Sequence, residues 1–279
     1  MKFWQTSRRS LSLEYPLVMG ILNVTPDSFS DGGLYSDIDL ALRRADEMIA
    51  EGVDIIDIGG ESTRPGSSRV EAETEIMRTL PVVVAIVKRF DIPISIDTSK
   101  KPVAKTLIDE GAEIINDISG LRWDPHIAEV AAKSGAGLVL MHSRGSFESM
   151  HNEPPLADAV ASVYSGLQSS LAIARDHGVS DGQIVLDVGI GFGKTPEQNL
   201  ELISKLDRIK GELADYPLLV GASRKSFIGK ILGGAPPEER VFGSIAVAVA
   251  AVMKGVSILR VHDVKATVDA VKIARELDI

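Results

Sequence analysis

Cysteine is absent from the 279-residue sequence, which excludes disulfides and thiolate metal sites and is compatible with a reducing, cytoplasmic setting. Positive charge is in short supply. Thirty Lys and Arg face 39 Asp and Glu, a formal net charge of -9, so no global field recruits nucleic acid or an anionic membrane. An anionic ligand must therefore meet a local cluster of cationic groups. Long apolar runs are also missing: the longest, Gly243 to Met253, is far shorter than the roughly 20 residues a membrane-spanning helix needs. Ser7-Arg8-Arg9-Ser10-Leu11 superficially resembles a twin-arginine export signal, but no apolar signal core follows before Glu14 and Pro16. No linker divides the chain, so residues 1–279 read as one domain with a short N-terminal extension over 1–16.

What is present is a rhythm. Short apolar, β-rich runs recur, each followed by a turn and a longer stretch with helical spacing. The expected strands are Leu17 to Asn23, Val53 to Ile58, Pro93 to Asp97, Glu113 to Asp117, Gly137 to His142, Gln183 to Asp187, Pro217 to Gly221 and Ser257 to Val261. Between them, Ala41, Ala45, Met48 and Ile49 share one helical face, as do Leu202, Leu206, Ile209 and Leu213. Eight alternating units favour a closed (β/α)8 TIM barrel over an open doubly wound sheet, because the first turn, Asn23-Val24-Thr25-Pro26-Asp27, lacks the glycines of a nucleotide turn.

Right-handed crossovers put every loop that follows a strand on one rim, where function is sought. The strand ends supply Asn23, Asp57, Asp97, Asn116 with Asp117, His142, Asp187, Lys225 just beyond the seventh strand, and Arg260 with His262. Any one of these has a bland reading as a cap; their recurrence in almost every unit does not. Asp97, Asn116 and Asp187 suit a flat heterocycle with a guanidine-like donor edge, since a buried carboxylate needs such a partner. A simple Asp187–Lys225 ion pair is the competing reading. Arg260 and His262 alternate on the last strand, point to one face, and with Asn23 form an anion pocket. The loop Gly189 to Thr195 matches neither Walker nor G-x-G-x-x-G spacing, and His142 with His151 lacks a zinc spacing.

The segment from Met19 through Asn23-Val24-Thr25-Pro26-Asp27-Ser28-Phe29-Ser30-Asp31 to Gly33 resembles the opening signature of dihydropteroate synthases. Further blocks resemble the same family in the same order: Asp57 to Gly66, Ser95-Ile96-Asp97-Thr98, Asn116-Asp117, Asp187 through Lys194, Ala222 to Ser226, and Arg260-Val261-His262-Asp263. The resemblance implies an enzyme of folate biosynthesis that joins p-aminobenzoate to the diphosphate ester of hydroxymethyl-dihydropterin. It implies a pterin pocket at Asp97, Asn116, Asp187 and Lys225, and a diphosphate pocket at Asn23, Thr63, Arg260 and His262. Asn23 would also ligate magnesium. Phe29, Asp31, Arg64, Pro65, Phe192 and Ser226 would receive p-aminobenzoate and form the loops over it.

Asn23, Lys225, Arg260 and His262 are thus the expected catalytic residues. The resemblance also implies a homodimer, through the stretch Gly243 to Met253 unless that helix is simply core. Corrinoid-linked methyltetrahydrofolate methyltransferases share the barrel and the pterin-binding amide and carboxylates, and a non-catalytic pterin-binding protein would share the pocket. Arg260-Val261-His262 and Ser223-Arg224-Lys225 favour a diphosphate substrate over both. Two departures stand out: Val188 follows Asp187 where the family commonly has proline, and Ser143 to Pro155 matches no pattern.

Overall fold

The structure, a computed structural model, describes residues 2–25 and 33–277, with 33–37 described as backbone only. It opens with an antiparallel hairpin of β1 (Phe3–Gln5) and β2 (Ser10–Ser12). Eight parallel strands follow: β3 (Leu17–Asn23), β4 (Ile55–Gly59), β5 (Ile94–Asp97), β6 (Ile114–Asp117), β7 (Gly137–Met141), β8 (Ile184–Asp187), β9 (Leu218–Val220) and β10 (Ile258–Val261). They hydrogen-bond in chain order, and β10 returns to β3 with Ile258 opposite Leu17, closing the barrel.

The helices α1 (Gly33–Glu51), α2 (Ala72–Arg89), α3 (Lys101–Asp109), α4 (Ile127–Ser134), α5 (Ala159–Asp176), α6 (Pro196–Ser204), α7 (Leu206–Glu212), α8 (Ser226–Ile231), α9 (Val241–Met253) and α10 (Val264–Glu276) connect the strands. Their starts follow local chemistry. The Asp158 side chain caps α5 by accepting from the Ala161 amide, and Thr195 with Gln198 forms a capping box on α6, with Pro196 in the first turn. The stripe Leu202, Leu206, Ile209 and Leu213 is buried as expected, but it is split between α6 and α7, with Leu213 just past the end of α7. The chain breaks at Lys205, whose amide bonds to both Glu201 and Leu202 carbonyls. Among the described residues, no helix is long and apolar enough to cross a membrane.

Alternation along the strands separates two cores. Val18, Leu22, Ile56, Ile58, Ile96, Leu186 and Leu259 face outward and join the helices in one buried cluster. Met19, Ile55, Ile114, Val139, Val185, Leu219 and Ile258 face inward and fill the barrel floor. Trp4 belongs to that inner cluster at 0% exposure, and its Nε1 donates to the Gln183 carbonyl at 2.7 Å. The extension, described over 2–16, is therefore the plug of the barrel. Gly137 makes room for it, since a Cβ there would lie 3.0 Å from the Trp4 ring. Arg9 is likewise committed to the fold through the buried Glu113, at 2.8 Å.

Truncating a fully buried tryptophan leaves a cavity and an unpaired carbonyl, a cost of about 3–5 kcal/mol. Trp4→Ala should lower the unfolding free energy by that order in urea titration while turnover per folded molecule stays unchanged, because the plug lies at the end of the barrel opposite the loops that follow the strands.

Candidate active site

Inward positions change character halfway up the barrel. Two residues beyond the apolar floor, the same faces present Asp57 on β4, Asn116 on β6, Met141 on β7, Asp187 on β8 and Arg260 on β10. Register carries the ring onward: Asn23 lies opposite Gly59, Gly59 opposite Asp97, and Asp97 opposite Asn116. Neighbouring polar side chains thus line one lumen because a period of two never lets them leave that face. Asp117 and His142, also at strand ends, have the opposite parity. Asp117 accepts from the amides of Ser119 and Leu121 at 2.8 and 2.6 Å and shapes a turn, while His142 packs against Gly166 of α5. Burial pushes the His142 imidazole down to about 3 and the Asp117 carboxyl up to about 6.

Arg260 is the hub. Its Nε donates to Asp57 Oδ2 and its Nη2 to Asp97 Oδ2, both at 2.6 Å, and Asn116 Nδ2 donates to the same Asp57 oxygen at 3.2 Å. Burial opposes the guanidinium charge, but Asp57 and Asp97 outweigh it and hold the group protonated. Burial pushes the Asp97 carboxyl up, against the pull of Arg260. Arg260, expected in the diphosphate pocket, is thus already engaged in the free protein: two of its three nitrogens serve carboxylates. Asp57, a rim residue with no specific role in the sequence analysis, sits at the centre of the site. Its signal was the inward parity of Ile55, Asp57 and Gly59.

Asp187 and Lys225 form no ion pair among the described residues. Asp187 Oδ1 accepts from the Gly189 amide at 2.7 Å, which holds the turn despite Val188, itself fully buried. Lys225 Nζ donates to the Ile190 carbonyl at 2.9 Å and lies 3.9 Å from the Phe192 ring centroid. Burial lowers the Lys225 ammonium to about 8, with Asp187 pulling it back up. The glycines of this loop are steric necessities: with φ +69 at Gly189 and +82 at Gly191, a Cβ would lie 1.9 Å from the His142 carbonyl oxygen or 2.7 Å from the Lys225 chain. Phe192 is buried, in contact with Lys225 and, at 5.7 Å between centroids, with His151.

Asn23 and His262 flank the other side of the hub. Asn23 Oδ1 and Asp97 Oδ2 lie 3.6 and 3.8 Å from where a Gly59 Cβ would stand. His262 Nδ1 is 3.2 Å from Ser223 Oγ, and burial, then Arg260 and Arg224, lower its imidazole to about 4. The turn before α8 is held in an unusual backbone state. Arg224 has φ 59, and its guanidinium pairs with both oxygens of Asp263 while its amide donates to Ser244 Oγ at 2.9 Å. That turn places Ser223 against His262 and Lys225 against the Ile190 carbonyl; Ser226 follows, exposed, as the first residue of α8.

Thr63 is half-buried and Arg64 and Pro65 are exposed in the loop after β4. Glu61 fixes both ends of this loop, pairing with Lys100 Nζ at 2.9 Å and accepting from the Val70 amide at 2.7 Å. Phe29 and Asp31 lie outside the described residues. Among the described residues, one grouping of His and Glu has metal-ligating geometry, His126, Glu129 and His177, on and beside α4 and α5.

A family model described as pterin binding enzyme matches residues 19–262. Dihydropteroate synthase of Clostridium beijerinckii is 50% identical over 252 residues, covering 90% of this chain and 90% of that protein. The Escherichia coli dihydropteroate synthase is 46% identical over 264 residues, 95% of this chain and 92% of that one. The Xanthomonas albilineans dihydropteroate synthase structure with 4-aminobenzoic acid superposes at a TM-score of 0.92 and 39% identity, over 99% of this chain and 98% of that one. The Burkholderia cenocepacia dihydropteroate synthase complexed with 7,8-dihydropteroate gives 0.87 and 41%, over 99% and 96%. Barrel, polar rim and these matches define a pterin-binding (β/α)8 enzyme. Within that class, the chain belongs to the dihydropteroate synthases.

Asp57→Ala would leave the buried Arg260 with one carboxylate and Asn116 without its acceptor. Breaking a buried ion pair costs about 3–5 kcal/mol, so denaturant unfolding should shift by that order, and pterin affinity measured by calorimetry should fall with it. Unchanged stability and affinity would mean that Arg260 is held by Asp97 alone.

Proposed function

We propose that the rim condenses (7,8-dihydropterin-6-yl)methyl diphosphate with p-aminobenzoate, releasing diphosphate and 7,8-dihydropteroate, as a cytoplasmic step of folate synthesis by one domain spanning 1–279. The observation that carries it is the meeting of Asp97, Asn116, Asp187 and Lys225 on one inward surface around Arg260, in a chain 50% identical to a dihydropteroate synthase. That identity also favours this reaction over corrinoid-linked methyl transfer and over a pterin-binding protein without activity.

In this reading Asp97, Asn116 and Asp187 receive the donor edge of the pterin, and Lys225 holds an acceptor atom of the ring. The C–O bond to diphosphate breaks, positive charge spreads over the methylene and pterin, and the two carboxylates stabilise it. The aryl amine, neutral near pH 7, then forms the C–N bond and loses its proton to solvent, so no strong general base is assigned. Arg260, His262, Asn23 and Thr63 face the diphosphate, while Arg64, Pro65, Phe192 and Ser226, with Phe29 and Asp31, receive p-aminobenzoate.

Magnesium fits the donor chemistry at Asn23. Its neutral amide oxygen flanks Gly59 together with a carboxylate oxygen of Asp97, the all-oxygen, sparse ligation that suits a cation keeping most of its water. His126, Glu129 and His177 are nitrogen-rich and suit it poorly. When bound, the ion would neutralise charge on the leaving diphosphate. The outward face of α9 supports a homodimer: Phe242 is 87% and Met253 57% exposed, and Ile231 and Leu232 at the end of α8 are exposed as well.

Dihydropteroate should form, with one diphosphate released for each, only when both substrates and magnesium are present, and Asn23→Ala should reduce magnesium-dependent turnover more than binding of a diphosphate-free pterin. Absence of dihydropteroate with both substrates and magnesium present would break the assignment. A second outcome concerns pH. The Lys225 ammonium is lost above about 8, so pterin affinity should fall as pH rises through that value, and Lys225→Gln should flatten this limb. Stability moves oppositely: the unfolded chain binds the proton up to about 10.5, so the cost of burying the charge is relieved between about 8 and 10.5.

A further inference from the structure

The stretch 143–155, for which the sequence offers no pattern, folds as a small apolar plug beside the rim. Phe147 and Met150 are 3% and 1% exposed and pack with Ile118, Met141 and Phe192 in a cluster of their own. The segment is tied to the loop after β8 by Arg144, which donates to the Gly193 carbonyl at 3.0 Å, and to the loop after β6 by Trp123 Nε1, which donates to the Gly145 carbonyl at 3.0 Å. It therefore presents a packed surface rather than a free loop.

Two contacts join this surface to the loop 61–70. His151 Nε2 lies 2.8 Å from the Thr63 carbonyl oxygen, and its ring stacks on Phe192 at 5.7 Å and 28°. From the other side, the Arg69 guanidinium lies 5.5 Å from the Trp123 ring centroid and 6.0 Å from that of Phe147. A carbonyl oxygen only accepts, so His151 must carry its proton on Nε2. One side chain thus touches both the peptide that precedes Arg64 and Pro65 and the aromatic residue of the loop after β8. Nothing else in the chemistry proposed above uses it.

We infer that His151 is a positioning residue: it locks the Thr63 peptide in register with Phe192 and so sets the shape of the p-aminobenzoate end of the site. The inference rests on the assignment of p-aminobenzoate to Arg64, Pro65 and Phe192. His151 acts through these residues and touches no reacting atom. Glu61 fixes the two ends of the loop 61–70, and His151 with Arg69 fixes its middle and its approach to the last turn.

Three variants separate the contributions. His151→Phe keeps a ring against Phe192 but loses the donor, His151→Gln keeps a donor but loses the ring, and His151→Ala loses both. Hydrogen exchange of the 61–70 amides, measured without substrates, should accelerate in Ala and Phe and recover in Gln, with the barrel strands unchanged. The KM for p-aminobenzoate should rise about fivefold to tenfold in Ala, the scale of one lost hydrogen bond with its ring contact. Gln should recover most of it, and the KM for the pterin substrate should hold. Unchanged exchange at 61–70 in Ala and Phe overturns the inference, as does a uniform loss of every parameter with a lowered Tm. Faster exchange with a KM change for the pterin substrate alone leaves the lock standing and removes the p-aminobenzoate assignment.

Discussion

Everything at the rim depends on one guanidinium shared by two carboxylates. Arg260 reaches from β10 to Asp57 on β4 and Asp97 on β5, and Asn116 on β6 completes the chain of contacts through Asp57. A buried charge without such partners would be prohibitively unstable, and a paired one is stable only if its geometry is fixed. The hub therefore forces four strands to present their polar residues in one arrangement. It also leaves the lumen short of positive charge, with Asp57, Asp97 and Asp187 set against Arg260 and Lys225. Burial raises the Asp97 carboxyl against the pull of Arg260, and the neighbouring Asp57 charge adds to the rise. A ligand with a cationic or donor-rich edge relieves the shortage, which is the physical support for the pterin pocket proposed above.

Space for that ring comes from two inward positions that carry no side chain. A Cβ at Gly59 would stand 3.5 Å from the Asp97 Cβ, and one at Gly221 would stand 3.7 Å from the Arg260 Cβ, both ordinary contacts. Packing alone would thus admit alanine at either place. At Gly189 and Gly191 it would not, because the backbone conformation and the approach of His142 and Lys225 exclude a side chain. One pair of glycines keeps the lumen open and the other lets the loop after β8 fold against it. Beside the polar ring, Met141, Ile118 and Phe192 pack with Phe147 and Met150 into one buried apolar cluster.

The barrel strands were legible because each is a short apolar run bounded by turn residues, and the rim because polar residues close so many of them. What escaped is what depends on distance. Arg260 meets Asp97 and Asp57 across 163 and 203 residues, and only the closed register joins them. Asp57, Asp117 and His142 look alike at strand ends, and parity alone sends the first inward and the others outward. The hairpin that carries Trp4 has three-residue strands, too short to show a period. The segment 143–155 has no repeating pattern because its apolar residues pack against loops rather than along an element, so His151 could not be connected to Thr63 by any spacing rule.

The proposed diphosphate end obeys a different logic from the proposed pterin end. Arg260 is already divided between carboxylates, and the lowered imidazole of His262 leaves it uncharged near pH 7, so this end of the free protein offers little unshared positive charge. In the proposed reaction the missing charge arrives with the substrate. A divalent cation would supply part of it. The diphosphate would supply the rest indirectly, since an anion beside an imidazole favours its protonated form and would draw a proton onto His262. Because that charge is created only where the leaving group sits, it stabilises departing diphosphate without holding anions in its absence. In this proposal the carboxylates that tie up Arg260 keep the resting site selective for a ligand bearing both a pterin edge and a diphosphate.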